Sequence, residues 1–283
     1  KEASTTEADG STAGDSTAAG GDFSGQISVI SREDGSGTRG AFIELFGIET
    51  KDADGNKIDN TTDTAEITNS TSVMLTTVAG DEYAIGYVSL GSLDDSVKAV
   101  KIDGAEATAE NIKNDSYKVS RPFNIATKKG LDNEVAKDFI NFIMSKEGQE
   151  VVAENGYIGD DSAAAFSGSN PSGKVVVGGS SSISPVMEKL IEAYKAVNAN
   201  AEIELQTTDS TTGMTSAIDG SYDIGMASRE LKDEEAAELD SQVIATDGIA
   251  VIVNKANTTD ELSGDQVKAI YTGEALTWDE VVE

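Results

Sequence analysis

The chain has 283 residues, 38% of them hydrophobic and 25% charged, with a formal net charge of -30 and neither histidine nor cysteine. That charge argues against nucleic acid or an anionic membrane as partner, because both demand basic patches. The two missing residue types remove imidazole and thiolate metal sites, Ser-His-Asp and Cys-His catalysis and disulfides, so only carboxylate, lysine or oxygen-liganded metal chemistry is left.

The length suits two domains or lobes better than one, and no apolar run is long enough to span a membrane. A chain opening on Lys1 fits either a removed leader or a trimmed start. Residues 1–25 are almost entirely Ser, Thr, Ala, Gly and acid with one aromatic, Phe23, and are expected to be a flexible tether.

Ile27 and Val29 alternate as in a strand, and Ala41, Phe42, Leu45 and Phe46 recur at helical spacing. Between them, Ser31–Gly40 carries hydroxyls, three glycines and two arginines, with Ser36 or Thr38 at the helix start. Unpaired N–H groups and the positive dipole end there favour an anion. A Walker loop is not supported, since no lysine follows the glycines. A capped Gly/Ser turn without a ligand is the alternative. In so acidic a protein an anion site must rest on local dipoles, hydroxyls and a few arginines.

A polar loop follows, in which Asp52–Asp59 faintly resembles a calcium loop but lacks its sixth-position glycine and closing glutamate. A hairpin turn on Asp54 and Gly55 is the better reading. Ala84–Ser89 and Val97–Ile102 are expected strands, and Lys118–Ile125 is expected to be extended, with Pro122 biasing Arg121 away from helix. Val135, Ala136, Phe139, Ile140 and Ile143 mark a helix, and Ser145 caps another turn ending at Gly156. Residues 159–173 form a second small-residue linker.

Lys174–Val177 is a buried-type strand leading through Gly178–Ser184 into a helix opened by Pro185. Glu202–Gln206 leads through Thr207–Gly213 into a third helix, stopped by Gly220, and Asp223–Ser228 returns as a strand. Three hydroxyl-rich loops, each entering a helix from a strand, point to one shared anion more than to independent caps. Val243–Val253, interrupted by Asp247 and Gly248, is long enough to pass from one lobe to another. Ser263–Gln266 matches a capping box.

Several of these stretches together resemble the phosphate-binding proteins of bacterial ABC-type phosphate transporters. They are SREDGSGTRG (31–40), AIGYVSLG (84–91), SKEGQEVVAENGYI (145–158), GGSSSISPVMEKL (178–190), TTDSTTG (207–213) through DIGMASRE (223–230), DGIAVIVN (247–254) and LSGDQVKAIYTGEALTWDEV (262–281). In that family the GSSSIS loop comes first, so this order resembles a circular permutant with the old ends joined by residues 159–173.

The resemblance implies an α/β fold of two lobes, periplasmic-binding-protein-like and of type II, closing on an anion about two hinge strands. Lobe A would be 26–117 plus 249–283 and lobe B 118–248, with crossings near Arg121 and Asp247. It implies phosphate contacts from Arg32, Ser36, Gly37, Thr38, Ser181, Ser182 and Ser210, with Asp34 orienting Arg32. Many relatives carry an aspartate after the residue matching Ser228, where it accepts the proton of hydrogen phosphate, but here Arg229 and Glu230 follow. Asp34, Asp247 and Glu230 are the candidate acceptors, and a surface ion pair is the alternative for Arg229 and Glu230.

No catalytic group, metal or cofactor is expected. The implied partners are inorganic phosphate and the membrane permease of an ABC transporter, with no nucleic acid. The implied state is a monomer outside the cytoplasm, lipid-anchored at the membrane's outer face. Competing readings are a binding protein for sulfate, molybdate or tungstate, a phosphate-sensing or adhesive relative, and, ranked lower, a carboxylate or metal hydrolase.

Overall fold

The computed structural model describes residues 23–282. Most of the expected tether, residues 1–22, lies outside that range. Its last residues are packed, because the Phe23 ring sits 5.3 Å from Tyr83 and 6.1 Å from Trp278.

In chain order the elements are β1 (Ser28–Arg32), α1 (Gly37–Leu45), β2 (Glu49–Lys51), β3 (Lys57–Asp59), β4 (Glu66–Thr68), α2 (Thr71–Gly80) and β5 (Ala84–Ser89). A 3-10 turn (Leu90–Ser92), β6 (Lys98–Ala99), β7 (Lys101–Ile102), α3 (Ala109–Lys113), β8 (Ser120–Lys128), α4 (Glu134–Ile143) and α5 (Lys146–Glu154) follow. After residues 155–172, which hold no helix or strand, come β9 (Gly173–Ser180), α6 (Ser184–Val197), β10 (Ala201–Thr208), α7 (Ser210–Asp219), β11 (Ile224–Ala227) and α8 (Asp233–Glu238). The chain closes with β12 (Leu239–Val253), β13 (Glu261–Leu262), α9 (Gly264–Thr272) and α10 (Trp278–Val282).

One sheet runs through the molecule in the order β10-β9-β11-β8-β12-β5-β1-β4, with β6 also on β12. Its two ends are parallel and its middle antiparallel. Side chains alternate across the strands, so each half of the sheet feeds a core on either face. On the β10 side, Ile125, Val177 and Met226 pack with Phe139 and Leu190, while Ala126 and Ala227 face Met214 on the other surface. On the β4 side, Val29, Tyr87 and Val251 pack with Phe42 and Trp278, while Ile30, Val88 and Ile252 face Met74 and Val78.

Local signals account for most elements. The α6 stripe of Val186, Met187, Leu190, Ile191 and Tyr194 is buried, and Pro185 opens the helix. Asp54 and Gly55 do turn a hairpin between β2 and β3, with Gly55 at φ 85°. Two expectations need correction. The region expected to be a polar loop also contains β4 and α2, because Ser70 caps a helix whose Thr71, Met74 and Val78 point inward. The single strand expected over Val97–Ile102 is broken at Val100, since β6 pairs with β12 and β7 with β13. The segment 159–173 is irregular but packed, with Phe166 against Phe142 and the Ser169 N–H bonded to Asp138.

Two strands pass between the cores. Along the β8 path Val119 belongs to the core around Trp278 and Phe123 to the core around Phe139, and along β12 Ala245 and Ile249 divide the same way. At these crossings Arg121 and Asp247 are register partners in the antiparallel β8–β12 ladder. Arg121 Nε and Nη2 donate to Asp247 Oδ2 at 3.2 and 3.0 Å, and Ser89 Oγ donates to Oδ1 at 2.9 Å. Burial pushes the Asp247 carboxyl up, while Arg121 and Ser89 pull it back toward the charged form.

Asp247→Ala would leave a buried guanidinium unpaired and should lower stability by roughly 3–5 kcal/mol. The double replacement Arg121→Met/Asp247→Leu should cost less than either single one. Urea unfolding measures both, and a single variant as stable as the parent would contradict the assignment.

Candidate anion site

β1 delivers Arg32 to its C-terminal end, where the chain bends through residues 33–36 into α1. Arg32 is 2% exposed, and Glu33 clamps it, accepting from Nε and Nη2 at 2.8 Å each. A further bond from Nη2 reaches Ser181 Oγ at 3.2 Å. Beneath the strand end, the Tyr87 hydroxyl accepts from the Arg32 N–H at 3.2 Å and lies 2.9 Å from Ser31 Oγ. Tyr87 is itself fixed by stacking on Phe42 at 3.9 Å.

The helix start is built from short side chains. Ser36 caps α1 by accepting from the Arg39 N–H. Arg39 reaches back to the Arg32 carbonyl at 2.7 Å and to Asp34 at 2.8 Å, and its Nε meets Asp59 at 2.9 Å. The bend is therefore held from outside by a cation one helical turn on.

Three more helix N-termini meet this one. Thr38 Oγ1 on α1 lies 2.8 Å from Ser182 Oγ, which precedes α6. Thr71 Oγ1, the first residue of α2, is 3.3 Å from both Ser181 Oγ and Ser182 Oγ. Ser210, the first residue of α7, accepts from the Ser228 N–H at 3.0 Å, and Ser180 Oγ donates to Ser228 Oγ at 2.9 Å. A Cβ at Gly37 would fall 2.3 Å from Ser210 Oγ, so these loops touch. Arg121 joins from the crossing strand by donating to the Ser228 carbonyl at 3.1 Å.

This arrangement suits a small oxyanion. Hydroxyls donate or accept as needed, the first N–H groups of each helix have no partner within it, and each helix contributes roughly half a positive charge at that end. Two buried arginines, Arg32 and Arg121, add cations there, each already paired with a carboxylate, Glu33 and Asp247. Among the described residues no group of acidic side chains is placed to hold a metal ion.

The structure brings Arg32, Gly37, Thr38, Ser181, Ser182, Ser210 and Ser228 together, with Ser36 capping beside them. Other expected residues fall elsewhere. Asp34 does not orient Arg32: its side chain is 98% exposed and paired with Arg39, and Glu33 does the orienting. Asp247 is committed to Arg121 and Ser89. Arg229 and Glu230 do not form the ion pair, because Arg229 is engaged by a different carboxylate. Arg229 turns to Glu235, donating at 2.8 Å to each carboxylate oxygen, and Glu230 is exposed.

Thr71, Glu33, Tyr87, Ser180 and Arg121 are the additions. Thr71 had a signal, because Glu66–Thr68, Ser70 and the helix after it repeat the strand, hydroxyl, helix pattern of the other three loops. Nothing local marks Tyr87 or Arg121.

Two α/β halves joined by paired crossing strands, with a hydroxyl and arginine cluster held between their helix N-termini, define a bilobed solute-binding protein. The PBP superfamily domain model matches residues 14–147 and 164–282. Phosphate-binding protein PstS 2 of Streptococcus agalactiae serotype V is 60% identical over 258 residues, covering 91% of this chain and 88% of that one. The crystal structure of a phosphate ABC transporter, phosphate-binding protein from Streptococcus pneumoniae TIGR4 superposes with a TM-score of 0.72 at 46% identity, covering 91% of this chain and all of that one. The chain belongs to the PstS family of phosphate-binding proteins within the PBP superfamily.

A match of that span runs both chains in the same order, so this order is shared with the streptococcal relatives and permutation is not demonstrated. Phosphate-binding protein PstS of Staphylococcus saprophyticus matches over 117 residues at 39% identity, covering 38% of this chain.

Two buried tyrosines, Tyr87 beneath the site and Tyr157 against Phe123, make stability fall in alkali. Burial pushes Tyr87 and Tyr157 up to about 12, whereas unfolded phenols ionise near 10. Between roughly pH 10 and 12 the unfolded chain sheds protons that the folded one keeps, so stability present below that window is lost as pH rises through it. The urea midpoint should be lower at pH 11 than at pH 9, and equal midpoints would contradict the two shifts.

Proposed function

We propose that this chain captures inorganic phosphate between its lobes outside the cytoplasm and delivers it to the membrane permease of an ABC transporter. The observation that carries the reading is the meeting of Arg32 and the hydroxyls of Thr38, Thr71, Ser181 and Ser182 across the cleft. Family membership supports phosphate as the anion. The lobes are 26–117 plus 249–283 and 118–248, a division supported by separate cores on either side of the Arg121–Asp247 crossing. The protein acts as a monomer, held at the outer face of the membrane by a lipid anchor. Permutation relative to other family members, with 159–173 as the join, belongs to the same reading.

Binding and release need no covalent step. Arg32 supplies charge, with Glu33 fixing its plane so that the remaining N–H directions face the cluster. Ser36, Gly37 and Thr38 present the α1 terminus, Ser181 and Ser182 that of α6, Ser210 that of α7, and Thr71 that of α2. Hydrogen bonds to a charged group contribute roughly 1.5–3 kcal/mol each, so six or more offset desolvation and closure and still leave about -8 kcal/mol, a micromolar affinity.

One observation favours a broader oxyanion reading. Asp34, Asp247 and Glu33 are each bonded to an arginine, so the proton that distinguishes hydrogen phosphate from sulfate meets hydroxyl oxygens before it meets an unengaged carboxylate.

Phosphate is titrated calorimetrically into protein unfolded, dialysed and refolded, with and without excess sulfate. Tight one-to-one binding is expected, and folded protein that binds no phosphate would overturn the reading. Loss of binding in sulfate would replace phosphate by oxyanions in general. In the same assay Arg32→Ala should weaken binding about 100-fold or more and Thr71→Val about tenfold. Unchanged affinity in Arg32→Ala would remove it from the site.

A further inference from the structure

At the cleft rim, beside the anion cluster, α7 and the bend before α1 fit into each other through residues that do not reach the cluster. The Thr211 N–H donates to the Gly35 carbonyl at 3.2 Å. A Cβ at Gly35 would fall 2.3 Å from Asp209 Oδ1 and 2.6 Å from Asp209 Cγ. Gly35 does not have a left-handed φ, so its backbone accepts any residue and only the facing carboxylate calls for glycine.

That carboxylate is not free to swing aside. Asp209 caps α7, where its Oδ1 accepts from the Thr212 N–H at 2.9 Å and its Oδ2 from the Thr212 hydroxyl. Thr211 is held as well, since its hydroxyl accepts from Arg229 Nη2 at 3.3 Å, and Arg229 is clamped by Glu235. The protruding side is thus fixed to the half of the sheet that carries β11. The receiving side is fixed too, by Arg39 on the Arg32 carbonyl and on Asp34.

We propose that Asp209 and Thr211, seated against Gly35, are a closing latch whose fit sets how long a captured anion is retained. They are positioning residues: they touch the opposite lobe rather than the anion, and the contact forms only when the lobes close. The latch rests on the reading of the cleft as one that closes on phosphate. A side chain at Gly35 leaves the open cleft and its entry path unobstructed but blocks full closure, so the penalty falls on release. It is relieved by removing the carboxylate it meets, a coupling no independent structural role produces.

The test is stopped-flow phosphate binding and release with the full chain as wild type, Gly35→Ala, Asp209→Gly and the double variant, each verified as folded by circular dichroism. Glycine is tolerated as a cap. Gly35→Ala should release phosphate about tenfold faster with association changed by less than about twofold, and adding Asp209→Gly should restore the release rate of Asp209→Gly alone. Wild-type release from Gly35→Ala, or a double variant as fast as Gly35→Ala, would overturn the latch.

Should Gly35→Ala not fold, amide exchange of Thr211 in the wild type decides. Slowing by phosphate supports the latch and an unchanged rate overturns it. Should the wild type bind no phosphate, the proposed function fails and the latch is judged by small-angle scattering without ligand. A larger radius for Gly35→Ala than for the wild type supports it, and equal radii overturn it.

Discussion

The pairing of Arg121 with Asp247 is the constraint on which the rest of the molecule depends. Each residue sits where its strand passes between two cores, and each is almost wholly buried. A charge in that position is tolerable only with a partner in good geometry, so the pair admits one register between β8 and β12. A slip by one residue would bury two unpaired charges and turn every core side chain on those strands outward. With the register fixed, the β1–α1 bend and the β9–α6 turn arrive opposite each other, and Thr38 can meet Ser182. Arg121 also donates to the Ser228 carbonyl, which ties the crossing directly to the floor of the cluster.

The cluster shows how a protein of net charge -30 can hold an anion. Long-range attraction is absent, so recognition is local and geometric: helix termini aim N–H groups inward, short hydroxyls adapt, and Arg32 is held flat by Glu33. Acidic groups near the site are kept engaged. Glu33 is bonded to Arg32, Asp34 is drawn outward by Arg39, and Asp209 is occupied by the N-terminus of α7. An acidic exterior and an anion site coexist because Glu33, Asp34, Asp209 and Asp247 each already have a donor.

Legibility followed sequence distance. The Ser36, Gly37 and Thr38 turn, the Ser181 and Ser182 loop and the Ser210 helix start could be read from the chain because strand, hydroxyls and helix follow one another within a dozen residues. So could the crossing role of residues 243–253, whose apolar run exceeds one ordinary strand. Thr71 was hidden because the serines and threonines around it resemble a loop, and helix α2 shows little contrast between its faces. The partners of Arg121 and Tyr87 lie on other elements, 126 residues away for Asp247, and Gly35, which faces Asp209, lies on the bend before α1. Adjacency alone does not assign an ion pair: Asp34 and Glu230 lie close to Arg32 and Arg229 in sequence, but Arg32 pairs with Glu33, Asp34 with Arg39, and Arg229 with Glu235.

The strands that cross also divide the chain unequally in time. The core around Phe139 draws on residues from Phe123 to Ala245, one unbroken stretch. The core around Trp278 needs Ile27 to Val119 and then Ile249 to Val281, and Gln26 bridges Thr277 at its edge. During synthesis the middle of the chain can complete its core first, while the beginning waits for the last strand and helices. The residues of β1 and α1, made before that middle stretch, are therefore buried after it. Phe23 and Trp278, almost at opposite ends of the sequence, close the molecule together.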